Sequence, residues 1–156
     1  MKYLVLGSEG QVGAALTRYL KEQGHTVYEF DIIRSPKEDL RITHNALLEK
    51  YLAQCDFVFF LAFDVGGSLY LKKYQNTYDF ISNNVKIMNA TFDLFKKYRN
   101  KFIFTSSQMS NMNYSSYGVL KAIGEYYTKV LGGLVVKFGN VYGIENDPEK
   151  THVITD

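Results

Sequence analysis

Tyr117 and Lys121 stand four residues apart at the start of a stretch that reads as a helix from about residue 115 to 131. That spacing puts both side chains on one helix face. A free phenol has a pKa near 10, too high for a base at neutral pH. A neighbouring ammonium stabilises the phenolate and lowers that value. Tyr117 can then take a proton from a hydroxyl as hydride leaves the same carbon, and return it in the reverse step. Ser107 follows an apolar run, Phe102-Ile103-Phe104-Thr105, and can hydrogen-bond the same oxygen. A tyrosine four before a lysine also arises incidentally in a chain with 13 tyrosines. The pair gains weight from its place after Ser106-Ser107 and downstream of a glycine turn.

That turn is Gly7-Ser8-Glu9-Gly10-Gln11-Val12-Gly13. The apolar run Tyr3 to Leu6 precedes it, as expected of a parallel strand covered on both faces. Gly7 allows a sharp exit, Gly10 lets the backbone approach phosphates, and Gly13 lets the following helix pack close to the sheet. The pyrophosphate of a dinucleotide would sit on free N–H groups at the helix start, where the dipole favours negative charge. Three glycines alone also occur in ordinary turns. Here an amphipathic helix follows (Val12, Leu16, Leu20), then Gly24, then a second strand from Val27 to Phe30 that ends in Asp31. An acidic residue about 20 positions past the turn accepts hydrogen bonds from an adenosine ribose. Asp31 would repel a 2′-phosphate and so favours NAD over NADP, while Arg34 argues the other way.

The elements that must position these groups alternate along the chain. Asp39 to Ile42 reads as a short third strand, and Thr43 as the N-cap of a helix with Ala46, Leu47, Leu48 and Leu52 on its apolar stripe. Phe57 to Ala62 is the most apolar strand and is expected at the centre. Asp64-Val65-Gly66-Gly67 breaks it, and a polar stretch from Ser68 to Thr77 leads into a long helix from about Tyr78 to Tyr98. The inner face of that helix is read as Phe80, Ile81, Val85, Met88, Phe92 and Phe95. The fifth strand ends at Ser106-Ser107, and a short loop with Asn111 to Asn113 precedes the Tyr117 helix. Gly132-Gly133 stops that helix, and Leu134 to Phe138 is the sixth strand. Strands alternating with helices predict a doubly wound parallel α/β sheet, most simply in the order 3-2-1-4-5-6. Gly7, Asp31, Ala62, Ser107 and Asn140 all follow strands, so all are expected on the one rim where such sheets bind ligands.

At 156 residues with net charge +2, the chain reads as one domain with no basic run dense enough for nucleic acid. Lys96, Lys97, Arg99 and Lys101 read as a solvated helix end, well placed for the C-terminal dipole. Cys55 is the sole cysteine, read as a small buried hydrophobe, so neither an internal disulfide nor a cysteine metal site is expected. His25, His44 and His152 are too scattered for a metal site. Tyr126 and Tyr127 read as helix packing, and which of Asn83 and Asn84 faces inward stays open. A strand starting almost at Met1 leaves no room for a signal peptide, and no apolar run reaches membrane-spanning length. The expectation is a soluble, cytoplasmic protein.

Gly7…Gly10…Gly13, Asp31, Ser107 and Tyr117…Lys121, in this order, resemble the extended short-chain dehydrogenase/reductases, specifically the NAD-dependent nucleotide-sugar epimerase/dehydratase family with its Rossmann-type fold. Asp39-Leu40-Arg41 resembles the family's adenine-contacting segment. Leu61-Ala62 resembles its Leu-Ala-Ala, Asn84-Val85 its Asn-Val, and Phe138-Gly139-Asn140-Val141-Tyr142-Gly143 its Phe-Asn-Val-Tyr-Gly turn. Asp64-Val65-Gly66-Gly67 with Asp79-Phe80-Ile81 and Asn84 is nearest the GDP-fucose synthase and GDP-mannose epimerase branch. The resemblance implies NAD as cofactor, held by Gly7, Glu9, Gly10, Gln11, Val12, Gly13, Asp31, Asp39, Leu40, Leu61, Ala62 and Asn84. It implies Tyr117 as acid/base, Lys121 as the ligand of the nicotinamide ribose, and Ser107 as the holder of the reacting oxygen. Gly66, Gly67, Gln108 and Asn140 become candidate contacts to a nucleotide-sugar substrate.

The departures narrow this chemistry. Dehydratases of the family carry Asp-Glu where Gln108 and Met109 stand, and fucose-synthase-type epimerases carry a cysteine at Met109. Neither side chain here titrates. The set Ser107, Tyr117 and Lys121 suffices for oxidation at a sugar carbon and re-reduction, which points to a 4-epimerase or a keto-reductase. The loop from Ser107 to Tyr117 is also shorter than usual, Lys137 stands where arginine is common, and Phe63 where alanine is common. Family members continue with a long C-terminal substrate region, whereas this sequence stops at Asp156. The expected division is a dinucleotide-binding domain over 1–144 and a polar tail over 145–156. The expectations that follow are a truncated piece, a site completed by a partner chain, or an NAD-binding or partner-binding module without sugar turnover. An exposed last strand invites pairing, so a homo-oligomer is expected.

Overall fold

A computed structural model describes residues 1–141; the expected tail and His152 lie outside the described residues. The elements are β1 (Lys2–Leu6), α1 (Gln11–Glu22), β2 (Thr26–Phe30), α2 (Ala46–Leu52), β3 (Phe57–Phe60), α3 (Ser68–Tyr74), α4 (Tyr78–Tyr98), β4 (Phe102–Ser107), α5 (Ser116–Val130) and β5 (Leu134–Phe138). Short 3-10 turns lie at Pro36–Glu38 and Gln108–Asn111. All strand pairs are parallel, in the order β2-β1-β3-β4-β5. The most apolar strand is at the centre, as its composition demands.

Residues 39–42 are not a strand. Asp39 accepts from the backbone N–H and the guanidinium of Arg41 within one tight turn, and Leu40 drops into the core at 6% exposure. The remaining strands keep their expected order. Asn45, not Thr43, caps α2: its Oδ1 accepts from the N–H groups of Leu47 and Leu48, while its Nδ2 donates to the carbonyls of Lys37 and Asp39. The polar stretch after Gly67 contains α3.

One side of the sheet carries an aromatic core. The Phe60 ring meets those of Phe92, Phe95 and Phe104 edge-on at 5.4–5.8 Å, joining β3 and β4 to α4. Such contacts add roughly 0.5–1.5 kcal/mol each beyond burial. Helix α4 has the bounds expected from its pattern, but its inner face is turned. Ile81 and Val85 are exposed, while Asn84 and Thr91 are fully buried beside Phe80, Met88, Phe92 and Phe95. Tyr127 stacks on Phe92, whereas Tyr126 points to solvent and does not pack. Cys55 is half-buried, and burial pushes its thiol up to about 11. No helix among the described residues is long and apolar enough to cross a membrane.

Candidate active site

The C-terminal ends of the strands open into one cleft of about 620 Å³. At one end lies the glycine turn. Gly7 leaves β1 with φ +88, a conformation that costs a side-chain-bearing residue energy. A Cβ on Gly13 would lie 1.9 Å from the Gly7 carbonyl oxygen, so only glycine lets α1 seat here. The N-cap of α1 is Gly10, which supplies no side chain to the first-turn N–H groups. Gln11 lines the cleft, and both polar atoms of its side chain are buried without a partner among the described residues. Unspent donors at a helix start are what a pyrophosphate requires.

Asp31 closes this end. One carboxylate oxygen accepts the Glu9 N–H at 3.0 Å and the other the Ile33 N–H at 3.0 Å, which fixes the group at the tip of β2. Arg34, the residue that argued for a 2′-phosphate, is held among Glu9, Glu29 and Glu38 at 3.3–3.5 Å. Beyond Asp31 a polar chain borders the cleft. Arg41 binds Asp39 and donates to Asn83 at 2.9 Å; Asn83 donates to Asp64 at 3.1 Å; Tyr70 donates to the other oxygen of Asp64 at 2.7 Å. The Arg41 guanidinium holds the Asp39 carboxyl below the ordinary carboxylate range.

The far end holds Ser107, Tyr117 and Lys121. Ser107 ends β4 and caps the following turn, accepting from the Met109 N–H at 3.2 Å. Ser115 caps α5 by accepting from the Gly118 N–H at 3.0 Å. A Cβ on Gly118 would lie 2.2 Å from the Met109 carbonyl oxygen, so this glycine sets how closely the start of α5, with Tyr117, approaches the turn after Ser107. The nearby Ser107 hydroxyl lowers the Tyr117 phenol, but burial outweighs it and pushes the phenol above its ordinary value. This reverses the expected lowering by Lys121. The Lys121 ammonium donates instead to the Thr105 carbonyl at 2.8 Å, beneath the Phe63 ring at 3.9 Å. Burial brings its pKa down to about 7.

A second network braces this end. Glu125 accepts from Ser106 at 2.5 Å and pairs with Lys137 at 3.1 Å, and Lys137 donates to Ser110 at 2.9 Å. Burial pushes the Glu125 carboxyl up, but the bonds from Ser106, Ser110 and Lys137 together hold it below its ordinary value. These contacts tie β4, α5 and β5 to the turn that follows Ser107.

The sequence profile described as "NAD dependent epimerase/dehydratase family" matches residues 3–156. The chain belongs to the NAD-dependent epimerase/dehydratase family. No curated protein matches the sequence significantly. Solved structures share the fold. The Bordetella bronchiseptica enzyme WbmH in complex with NAD+ is 18% identical with TM-score 0.74, over 93% of this chain and 57% of that one. The Thermotoga maritima UDP-glucose 4-epimerase with UDP-glucose is 20% identical with TM-score 0.73, over 95% of this chain and 58% of that one. A GDP-6-OMe-4-keto-L-xylo-heptose reductase from C. jejuni is 20% identical with TM-score 0.73, over 96% and 50%. This member of the family thus spans about half to three-fifths of the length of those proteins.

Most residues singled out in the sequence line the one cleft: Gly7, Gly10, Gln11, Val12, Gly13, Asp31, Asp39, Leu40, Leu61, Ala62, Gly66, Gly67, Ser107, Gln108, Tyr117, Lys121 and Asn140. Two do not. Glu9 stands outside the lining and contributes its N–H to Asp31 and its carboxylate to Arg34. Asn84 is wholly buried behind the cleft; its amide accepts the Asp64 N–H at 2.7 Å and donates to the carbonyls of Asp64 and Phe80 at 3.0 Å. Its neighbour Asn83 is the one that lines the cleft. Phe63 and Asp64 line the cleft and Gly118 seats the start of α5, and none of these three was read from the sequence as part of the site. Gly118 carried a signal, a glycine inside the first turn of a helix and directly after the candidate acid/base. Among the described residues no group of three or more His, Cys, Asp or Glu could hold a metal ion.

Proposed function

We propose that this chain binds NAD along the cleft and forms the cofactor half of an epimerase or keto-reductase acting on a nucleotide sugar. The observation that carries the reading is the placement of Ser107, Tyr117 and Lys121 at one end of a cleft whose other end is the glycine turn with Asp31. The open first turn of α1 and the unpartnered Gln11 amide fit a pyrophosphate; the Asp31 carboxylate fits a ribose diol; the engaged Arg34 favours NAD over NADP. NAD supplies an acceptor and donor of hydride at a sugar carbon. Tyr117 moves the proton on the adjoining oxygen, and Ser107 holds that oxygen. A phenol raised by burial is protonated at neutral pH, the form that donates to a carbonyl oxygen during reduction. Gly66, Gly67, Gln108 and Asn140 border the space a sugar would enter.

Among the described residues β5 is the outer strand, and its Leu134, Val135 and Val136 are exposed. A second copy or a partner chain that completes the sugar site would meet the molecule there. The test is incubation with NAD and a panel of UDP-, GDP- and dTDP-hexoses, products being read by NMR, beside Tyr117→Phe. Conversion by the parent chain, its loss in Tyr117→Phe and retained NAD binding in both are expected. A Phe variant of full activity overturns the assignment. NAD binding with no conversion by the parent chain leaves the reading as a cofactor-binding module.

A further inference from the structure

Phe63 touches both groups of the candidate acid/base pair. It follows β3 by three residues and lines the cleft. Its ring centre lies 3.9 Å from the Lys121 Nζ, and it meets the Tyr117 ring edge-on at 5.8 Å. The ring of Phe104 lies 5.1 Å from the same ammonium, and the Tyr117 ring 5.8 Å. Lys121 is 4% exposed, and its one hydrogen-bond acceptor among the described residues is the Thr105 carbonyl. The carboxylates on the elements packed around it are engaged elsewhere: Asp64 with Tyr70 and Asn83, Glu125 with Ser106 and Lys137. So the ammonium's surroundings are a backbone carbonyl and aromatic rings, and the nearest ring, that of Phe63, lines the cleft.

We propose that Phe63 is a positioning residue that caps Lys121 and thereby sets how tightly the second ribose of a dinucleotide, as distinct from its adenosine end, is held. The proposal rests on the reading of Lys121 as the group that holds that ribose. Phe63 and Lys121 line the same cleft, and a ribose held by Lys121 would compete with the ring for the ammonium. A ring face over a desolvated ammonium is a real competitor, since such contacts are attractive in their own right. The adenosine end is served by Asp31 and the glycine turn, at the ends of β2 and β1 on the other side of the sheet from Lys121. The two ends of the ligand therefore respond differently to Phe63, and ADP against NAD separates them.

The experiment measures NAD and ADP binding by calorimetry for the parent chain, Phe63→Ala and Lys121→Met. In parallel, all are acetylated with an N-hydroxysuccinimide ester, and Lys121 is compared by peptide mass spectrometry with the exposed Lys129. Phe63→Ala is expected to bind NAD about fivefold tighter with ADP within about twofold, the scale of one cation–ring competitor removed. Lys121 acetylation is expected to rise several-fold relative to Lys129. Lys121→Met is expected to weaken NAD and spare ADP. If Lys121→Met leaves NAD binding unchanged, the ribose role of Lys121 falls and this proposal with it. If it weakens NAD, but Phe63→Ala shows the parent NAD-to-ADP ratio or unchanged acetylation, the proposal alone is overturned. Phe63→Val, which trims the ring and keeps a branched apolar stub, is read by the same criteria should the alanine variant fail to fold.

Discussion

Replacing Lys121 by methionine isolates what it costs to keep an ammonium inside this fold. Burial brings the amine from 10.5 to about 7. Between those values the unfolded chain binds a proton here that the folded chain binds less readily. Stability therefore rises with pH across that window, and the penalty is fully present below it. At 1.36 kcal/mol per pH unit, the whole gap corresponds to roughly 5 kcal/mol. The Thr105 carbonyl at 2.8 Å and the Phe63 ring at 3.9 Å favour the charged form and reduce that figure. Methionine keeps an unbranched apolar side chain in place but leaves the Thr105 carbonyl unpaired, at about 1–3 kcal/mol. The methionine variant is thus expected to be about 2 kcal/mol more stable near neutral pH. The gain should shrink by about 1.4 kcal/mol per pH unit above neutral and vanish well below 10.5, at which the variant is left less stable by the cost of the unpaired Thr105 carbonyl. Urea unfolding of both chains across that range, followed by far-UV circular dichroism, reads the difference; titrations shared by both chains cancel. A stability difference that does not change with pH refutes the buried-ammonium argument.

Two further substitutions probe the scaffold around the cleft. Gly13→Ala places a Cβ 1.9 Å from the Gly7 carbonyl oxygen and must push α1 away from β1. A loss of about 2–3 kcal/mol, typical of overpacking, is expected in thermal melting together with weaker NAD binding; an unchanged melting temperature contradicts the seat inferred for α1. Asn45→Ala removes the cap of α2 and its two donor contacts to the Lys37 and Asp39 carbonyls. The expected cost is about 1–2 kcal/mol, measured by urea unfolding, and a neutral outcome would show that another group caps α2.

How much of this was legible in the sequence depends on where each side chain spends its contacts. The inner strands β1, β3 and β4 declared themselves because a parallel strand buried on both faces needs an unbroken apolar run, whereas the outer strands β2 and β5 carry Glu29 and Lys137 beside shorter apolar runs. The false strand at 39–42 alternates polar and apolar residues as an edge strand does. The same alternation describes a turn in which Asp39 and Arg41 bond to each other while Leu40 is buried. In α4 the apolar stripe misled because Asn84 takes a buried place that apolarity alone would assign to Val85. Asn84 is there to satisfy the backbone of Asp64, a partner twenty residues away that no helical periodicity contains. The Tyr117 and Lys121 spacing was legible, but the direction of the lysine was not. That direction is decided by Thr105 and Phe63, which come from other strands' ends.

The same long-range contacts set the pH behaviour of the proposed chemistry. With Lys121 bound to Thr105, the influences on the Tyr117 phenol are its burial, which raises the pKa, and the nearby Ser107 hydroxyl, which lowers it; burial wins. A raised phenol stays protonated through neutral and mildly alkaline pH. Reduction of a carbonyl needs that protonated form, so its rate should be level across this range and fall only above the ordinary tyrosine value of 10.0. Oxidation of the corresponding alcohol needs the phenolate, so its rate should climb with pH over the same range. Stopped-flow rates of the hydride step in both directions, taken at saturating cofactor, separate the two profiles. A reduction rate that already declines through neutral pH would mean that Lys121 does lower the phenol during turnover. The burial argument for Tyr117 would then fail, and Phe63→Ala should shift that profile further down if the ring is what restrains the lysine.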